Sequence, residues 1–229
     1  HSLNRGDIPV WQGQSGPGNF PSAAAQFLAQ TAAEFPGEVS VLATGPLTNL
    51  AAAFRIDDSF FGNLHEVACM GGYLGPLRIG WRKLGELNLS ADPQAAHIVL
   101  NAACPVTLMS AQLCLQASFG WGDWAKTRWL EPGLRKIIRN WLLAFGLYFA
   151  VPRFYLWDLV PAVYLSYPEL FDQRQVEFTS KQDDLTEGKI LFQPEKGSNR
   201  GKNLPAKILD PEKFKQIVYD GWKTGSIAK

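Results

Sequence analysis

The sequence predicts an α/β fold in which a mostly parallel central sheet is flanked by helices, followed by a more helical second half. Three mostly apolar runs of strand length support this prediction, at residues 39–43, 66–70 and 105–109. Such runs are typical of strands that are buried on both faces. Helical segments separate the runs, and this alternation indicates a parallel sheet covered by helices.

Local signals place the elements of the first half in order. Residues 8–11 predict a short first strand. Ser22 is a favourable N-cap for a helix that Pro36-Gly37 ends, and a second helix is predicted over residues 47–54. Asp92-Pro93 begins a third helix, because an acidic N-cap followed by proline at the first helical position favours helix initiation.

Helical patterns dominate the second half. Residues 133–149 predict one long helix, and a further helical segment follows Trp157-Asp158. A short strand is predicted at residues 177–179, a hairpin within residues 181–202, and a C-terminal helix from Pro211. Because no repeat or linker divides the sequence, we predict a single domain over residues 1–229.

Composition and charge exclude several classes of protein. The 22 basic and 21 acidic residues leave a net charge of +1 without a polybasic field, so we expect no nucleic-acid partner. The longest strongly apolar run, residues 141–152, is shorter than the roughly 20 residues that cross a bilayer, so we expect no membrane partner. Three cysteines without a CxxC spacing argue against a disulfide scaffold or a zinc knuckle, and they favour a cytoplasmic protein.

Three turn segments fall at the carboxyl ends of the predicted parallel strands. They are Thr44-Gly45, Met70-Gly71-Gly72 and Ser110-Ala111-Gln112. Ligands bind outside the carboxyl ends of strands in sheets of this kind. The sequence therefore predicts a binding site where these turns meet.

Four blocks, in order along the chain, resemble the signature blocks of the inosine–uridine-preferring nucleoside hydrolase family. Residues 43–51 read ATGPLTNLA, and residues 70–72 read MGG. Glu86-Leu87-Asn88 with residues 92–96 resembles the family's E-x-N…DPEAA block, and residues 157–163 resemble its HDPLAV block. The resemblance covers most of the chain and implies the nucleoside hydrolase-like, Rossmann-like version of the α/β fold.

The resemblance implies an enzyme that hydrolyses the N-glycosidic bond of ribonucleosides with the help of bound calcium. Cleavage of that bond builds positive charge on the sugar ring. Calcium takes roughly six to eight oxygen ligands, and it can hold sugar hydroxyls together with the attacking water. By resemblance, Asp158 is the catalytic carboxylate and a calcium ligand, and the backbone carbonyl of Thr44 is a second ligand. An acid in an apolar stretch such as that of Asp158 also needs a partner or a metal.

The same resemblance assigns substrate contacts to three side chains. Glu86 and Asn88 would hydrogen-bond sugar hydroxyls, and Met70 would line the sugar or base pocket. Trp157 departs from the family, and we expect its ring to stack on a base. The E-x-N spacing puts the Glu86 and Asn88 side chains on one face of an extended segment, which suits joint contact with a ligand. Simpler interpretations stay open: Met70 and Trp157 as core packing, Thr44 as a turn residue, Glu86 and Asn88 as solvated loop residues.

The sequence departs from the family pattern in three places. No D-x-D-x-x-x-D-D block occurs, although in the family it supplies most calcium ligands and the general base. We therefore expect the first strands of the family domain to be missing before Ile8, and this chain alone to bind calcium weakly. Trp157 replaces the histidine associated with protonation of the leaving base. The loop of residues 74–83 carries Arg78 and Trp81-Arg82-Lys83 instead of the family's Gly-Asn pair, which bears on substrate choice.

Three hypotheses follow for the function. The first is a hydrolase of ribonucleosides, active when complete with its N-terminal acids. The second is a non-catalytic relative that binds a nucleoside or ribosyl small molecule, and the third is a hydrolase of a different glycosyl compound. By resemblance we expect a homo-oligomer, a dimer or a tetramer. A periplasmic or secreted location stays open beside the cytoplasmic one, because a segment before His1 could carry a signal.

Overall fold

The structure is a computed structural model that describes residues 7–14, 22–195 and 201–227. Within these ranges the strands, in chain order, are β1 (Val39–Ala43), β2 (Leu64–Met70), β3 (Arg78–Ile79), β4 (Arg82–Lys83), β5 (Val106–Met109), β6 (Ser118–Gly120), β7 (Arg153–Tyr155), β8 (Val176–Phe178), β9 (Phe192–Pro194) and β10 (Lys202–Asn203). The α-helices are α1 (Ala23–Glu34), α2 (Thr48–Ile56), α3 (Pro93–Leu100), α4 (Ala111–Cys114), α5 (Trp121–Lys126), α6 (Pro132–Phe149), α7 (Leu159–Ser166), α8 (Gln182–Thr186) and α9 (Pro211–Ile227).

A parallel sheet of four strands forms the centre of the fold, in the order β1-β2-β5-β10. Helices cover it from both sides. Side chains along β2 alternate between two apolar clusters: Val67 and Cys69 join the cluster with α1, α2 and α3, whereas Ala68 joins the cluster with α6, α7 and α9. The predicted fold class, a mostly parallel sheet flanked by helices, is confirmed.

Helix starts follow the predicted capping chemistry. The Ser22 hydroxyl accepts a hydrogen bond from the Ala25 amide at 3.2 Å, and the Asp92 carboxylate accepts one from Ala95 at 3.0 Å. Asp210 caps α9 in the same way, through Lys213 at 2.9 Å. Each cap satisfies an amide that the first helical turn leaves without a partner.

Two predicted strands differ from the structure. Residues 8–11 form no strand, and Val10 is 92% exposed, because no neighbouring backbone pairs with this segment in the described chain. The strand at residues 39–43 exists as β1, but its predicted burial on both faces is wrong. It lies at an edge of the described sheet, where Ser40 and Leu42 are exposed.

Four further features of the strands differ from the predictions. The loop after β2 contains the β3–β4 hairpin, and β6 pairs with β7. The hairpin expected within residues 181–202 is instead the pair β8–β9, whose strands enclose α8. β10 joins the central sheet although it begins with a lysine, because the Lys202 ammonium donates to the carbonyls of Ala102 and Cys104 at 2.6 and 2.8 Å.

None of the helices in the described ranges combines the length and the apolar character that crossing a membrane requires.

Candidate functional site

A cavity of about 290 Å³ opens at the carboxyl ends of β1 and β2. All six residues that the sequence singled out line it: Thr44, Met70, Glu86, Asn88, Trp157 and Asp158. They come from four separate segments of the chain. Convergence follows from topology, because parallel neighbouring strands deliver their carboxyl-end turns to the same edge of the sheet.

The Glu86 carboxylate organises the loop that borders the cavity. One oxygen, Oε1, accepts hydrogen bonds from the amides of Gly72, Asn88 and Leu89 at 3.1, 2.9 and 3.0 Å. The other oxygen accepts from the amide of Ser90 at 2.7 Å. Four main-chain donors therefore converge on one half-buried side chain, and both of its oxygens are engaged inside the protein.

Two glycines leave room for this arrangement. Gly188 has φ +77°, and a Cβ there would collide with the Cβ of Glu86. Gly72 has φ +69°, and a Cβ there would overlap Ile190. A side chain at either position would combine a strained backbone with a steric clash, so close approach requires glycine at both.

Asn88 reaches from this loop to the ends of both strands. Its Nδ2 donates to the Met70 carbonyl at 2.8 Å and approaches the Thr44 carbonyl at 3.5 Å. Within the described chain, no protein donor meets its side-chain oxygen. The carbonyl of Thr44 and the amide of Asn88 thus form a polar strip that can hydrogen-bond hydroxyl groups.

An aromatic and aliphatic wall faces the polar strip. Phe145 and Trp157 line the cavity, and Tyr155 lies between them, with ring centroids 6.1 Å from Phe145 and 5.5 Å from Trp157. The hairpin adds Leu77 and Ile79 to this wall. A flat apolar ligand fits such a surface, because aromatic side chains stack on planar rings.

Asp158 is the acid whose carboxylate the local fold leaves free for a ligand. It precedes α7 but makes no capping hydrogen bond. Although the residue is exposed at the cavity, partial desolvation by the surrounding wall raises the pKa of its carboxyl above the ordinary value. The Cys114 thiol lies behind this turn, 3.7 Å from the Trp157 carbonyl, and burial raises its pKa.

Donors for calcium are few in this cavity. The Thr44 carbonyl and the Asp158 carboxylate both line it, but calcium takes roughly six to eight oxygens. The described residues contain no group of three or more His, Cys, Asp or Glu side chains placed to share a metal ion. The Asn88 amide also points a donor at the Thr44 carbonyl. The part of the chain that the structure describes does not by itself build a calcium site.

Apart from Trp157, the sequence did not predict the side chains of this wall. Phe145 lies mid-helix in α6, where its apolar neighbours give no sign of a cavity. Leu77, Ile79 and Leu84 lie in a segment predicted as loop, and the dipeptide strands β3 and β4 are too short for a periodic signal. Gly72 and Ala111 also line the cavity, and both lie in segments that the sequence predicts as strand-end turns.

Comparisons with known proteins agree with the geometry. The sequence model described as inosine-uridine preferring nucleoside hydrolase matches residues 4–216. Uridine nucleosidase 1 of Arabidopsis thaliana is 31% identical over 160 residues, which are 67% of this chain and 46% of that protein. The chain thus spans about half the length of such relatives.

Solved structures share the fold. A plant nucleoside hydrolase, PpNRh1, superposes with a TM-score of 0.74 at 21% identity, covering 99% of this chain and 72% of its own. A purine-preferring ribonucleoside hydrolase from Gardnerella vaginalis gives 0.77 at 19% identity, covering 97% and 72%. At such identities the likeness establishes the α/β architecture.

Proposed function

Because this chain belongs to the inosine–uridine preferring nucleoside hydrolase family, we propose that its protein hydrolyses the N-glycosidic bond of ribonucleosides, releasing base and ribose. One observation carries the proposal. A single cavity joins a polar strip from the strand ends to an apolar aromatic wall, and these two surfaces match the two halves of a nucleoside.

We place the ribose on the polar strip. The side-chain oxygen of Asn88 and the Thr44 carbonyl offer acceptors for vicinal hydroxyls, and Met70 borders the ring. Glu86 acts differently from the sequence expectation of direct sugar contact. Since both of its oxygens already accept main-chain amides, its role is to hold Asn88 in position.

We place the base against Trp157 and Phe145. Trp157 supports a planar heterocycle by stacking, but its indole N–H does not act as an acid, so protonation of the leaving base falls to another group or to water. Among the described side chains that line the cavity, only Glu86 and Asp158 carry carboxylates. The departing base therefore takes its proton from solvent water.

Asp158 supplies the negative charge of the reaction. Its carboxylate stabilises the positive charge that develops on the ribose ring and accepts the proton of the attacking water. A pKa raised by desolvation makes the carboxylate a stronger base than an exposed aspartate. Calcium dependence is a prediction from the family, and each role assigned above belongs to a residue of this chain.

The test is release of base from uridine, inosine and a chromogenic riboside by the full-length protein, with and without a calcium chelator. Asp158→Asn should lower turnover by about 10²-fold or more, as loss of a positioned base does. Asp58→Asn, at an exposed acid away from the cavity, is the matched control and should leave turnover unchanged. Equal turnover in both variants would overturn the role of Asp158.

A second candidate is a non-catalytic nucleoside- or sugar-binding protein. The scarcity of acids in the cavity favours it. Saturable binding of uridine or ribose without base release would select this candidate. Turnover restricted to non-nucleoside glycosides would select the third hypothesis, a hydrolase of a different glycosyl compound.

The homo-oligomer and the cytoplasmic location stay predictions. Sedimentation tests the first, and cell fractionation tests the second.

A further inference from the structure

Five large apolar side chains are exposed on the second half of α6 and on the β3–β4 hairpin beside it. They are Trp81, Trp141, Leu143, Leu147 and Tyr148, and they are between 48% and 87% exposed. We call them the apolar tip. Taking about 200 Å² for each whole aromatic side chain, the three rings alone leave roughly 350 Å² in water. With the two leucines, the tip reaches the size at which exposed patches are often functional.

Contacts of Arg82 and Gly80 join the two segments of the tip. The Arg82 guanidinium lies between the rings of Trp81 and Tyr148, 4.2 and 4.0 Å from their centroids, and its Nε donates to the Tyr148 carbonyl at 2.8 Å. Gly80 allows the hairpin to approach the Phe149 carbonyl closely, where a Cβ would collide with it. The hairpin is therefore fastened to the helix end, and its tryptophan is held beside the helix residues.

The two segments that carry the tip contain basic residues and no acids, although Arg135 packs on the Trp124 ring and Arg153 lines a different cavity with Asp123. Residues 73–85 and 132–157, which form the hairpin, α6 and β7, contain no Asp or Glu. The two salt bridges found in the described ranges, Lys215–Asp123 and Lys223–Asp220, involve none of their cations. The cations of the two segments are Arg78, Arg82, Lys83, Arg135, Lys136, Arg139 and Arg153. In a chain of net charge +1, this concentration of positive charge is local.

Exposed apolar side chains and cations on the same two segments indicate the kind of partner. A two-fold contact with a second copy would bring the cations of these two segments close to the same cations of the partner, which like-charge repulsion opposes. Single-stranded nucleic acid would stack its bases on aromatic rings, but the aliphatic side chains of Leu143 and Leu147 offer no stacking surface. Leu147 is the most exposed side chain of the tip. Aromatic and aliphatic side chains ringed by Lys and Arg are typical of surfaces that enter an anionic membrane interface.

We propose that the apolar tip docks on the surface of a bilayer that contains anionic phospholipids. The tip enters the headgroup level, and the surrounding Arg and Lys side chains lie against lipid phosphates. This binding is peripheral and is independent of the catalytic proposal. It departs from the sequence-based expectation that the chain has no membrane partner, because that expectation considered spanning segments only.

The experiment is flotation of the full-length protein with vesicles of phosphatidylcholine containing 30% phosphatidylserine, against pure phosphatidylcholine vesicles. We expect binding to the anionic vesicles only, weakened several-fold when salt rises from 0.05 to 0.5 M, roughly as screening of surface charges requires. Leu147→Glu should lower the bound fraction at least about tenfold. Leu209→Glu, at an exposed leucine of another surface, is the matched control and should bind like the unmodified protein.

Several results would overturn the proposal. They are absence of flotation with anionic vesicles, equal binding to both vesicle types, or no effect of Leu147→Glu. Self-association abolished by Leu147→Glu in sedimentation, without flotation, would assign the tip to a second copy instead. Binding of a single-stranded oligonucleotide in place of vesicles would assign it to nucleic acid. Lys136→Glu with Arg139→Glu gives an independent arm, in which binding should fall while the urea midpoint stays unchanged.

Discussion

Removal of the Glu86 carboxylate should loosen the whole loop that borders the cavity. Glu86→Ala deletes the acceptor of four main-chain amides, at 2.7 to 3.1 Å. A hydrogen bond to a protein acceptor contributes about 1 kcal/mol net, and more to a charged one, but water can partly replace it at a half-buried site. We therefore expect the free energy of unfolding to fall by about 3–4 kcal/mol, the upper range for one substitution.

Urea unfolding measures this loss, and amide hydrogen exchange locates it. Protection should fall at Gly72, Asn88, Leu89 and Ser90 while the amides of β5 keep theirs. Glu177→Ala is the matched control, since that exposed glutamate has one side-chain partner, Gln193, and should change stability by about 0.5 kcal/mol or less. A cost below about 1 kcal/mol for Glu86→Ala, with unchanged exchange, would refute the reasoning.

Three other predictions follow from the described contacts. Gly188→Ala should lower the free energy of unfolding by about 2 kcal/mol or more, because its positive φ is strained for alanine and its Cβ meets Glu86; Gly62→Ala, with open space around it, should not. Burial acts to raise the pKa of Asp123, but hydrogen bonds from Gly120, Tyr219 and Lys215 outweigh it and lower that pKa. The stabilisation is thus complete above the unfolded pKa of about 4 and is lost as the pH falls through the folded value, so Asp123→Asn should flatten urea midpoints measured between pH 6 and 3. Burial raises the pKa of Cys69 to about 12, so a thiol reagent should label it only after urea is added; labelling of the folded protein would contradict its burial.

The sequence predicted the elements that a local pattern of apolar or capping residues marks. β2 and β5 are continuous apolar runs because helices cover both of their faces, and the caps at Ser22 and Asp92 use side chains next to the helices they begin. β1 shows the same pattern, yet its exposure depends on its place at the sheet edge. The sequence did not predict β10, because its buried Lys202 is stabilised by hydrogen bonds to two carbonyls that are distant in the sequence.

The residues of the site also fall into those that the sequence predicted and those that it did not. Thr44 and Met70 could be placed together because they follow neighbouring parallel strands. Phe145 and the hairpin were missed because their position depends on how α6 packs, which no short-range signal encodes. The contacts of Glu86 were also beyond reach, since four backbone amides leave no mark in the sequence.

The carboxylate of Glu86 holds its loop through main-chain amides alone, so these hydrogen bonds do not depend on the side chain of Leu87. Leu87, which borders the cavity and projects into solvent, can change identity without loosening the loop. The folding of this loop and the choice of ligand therefore depend on different residues. Descendants of this protein could acquire new substrates by single changes at the cavity rim while keeping the same scaffold.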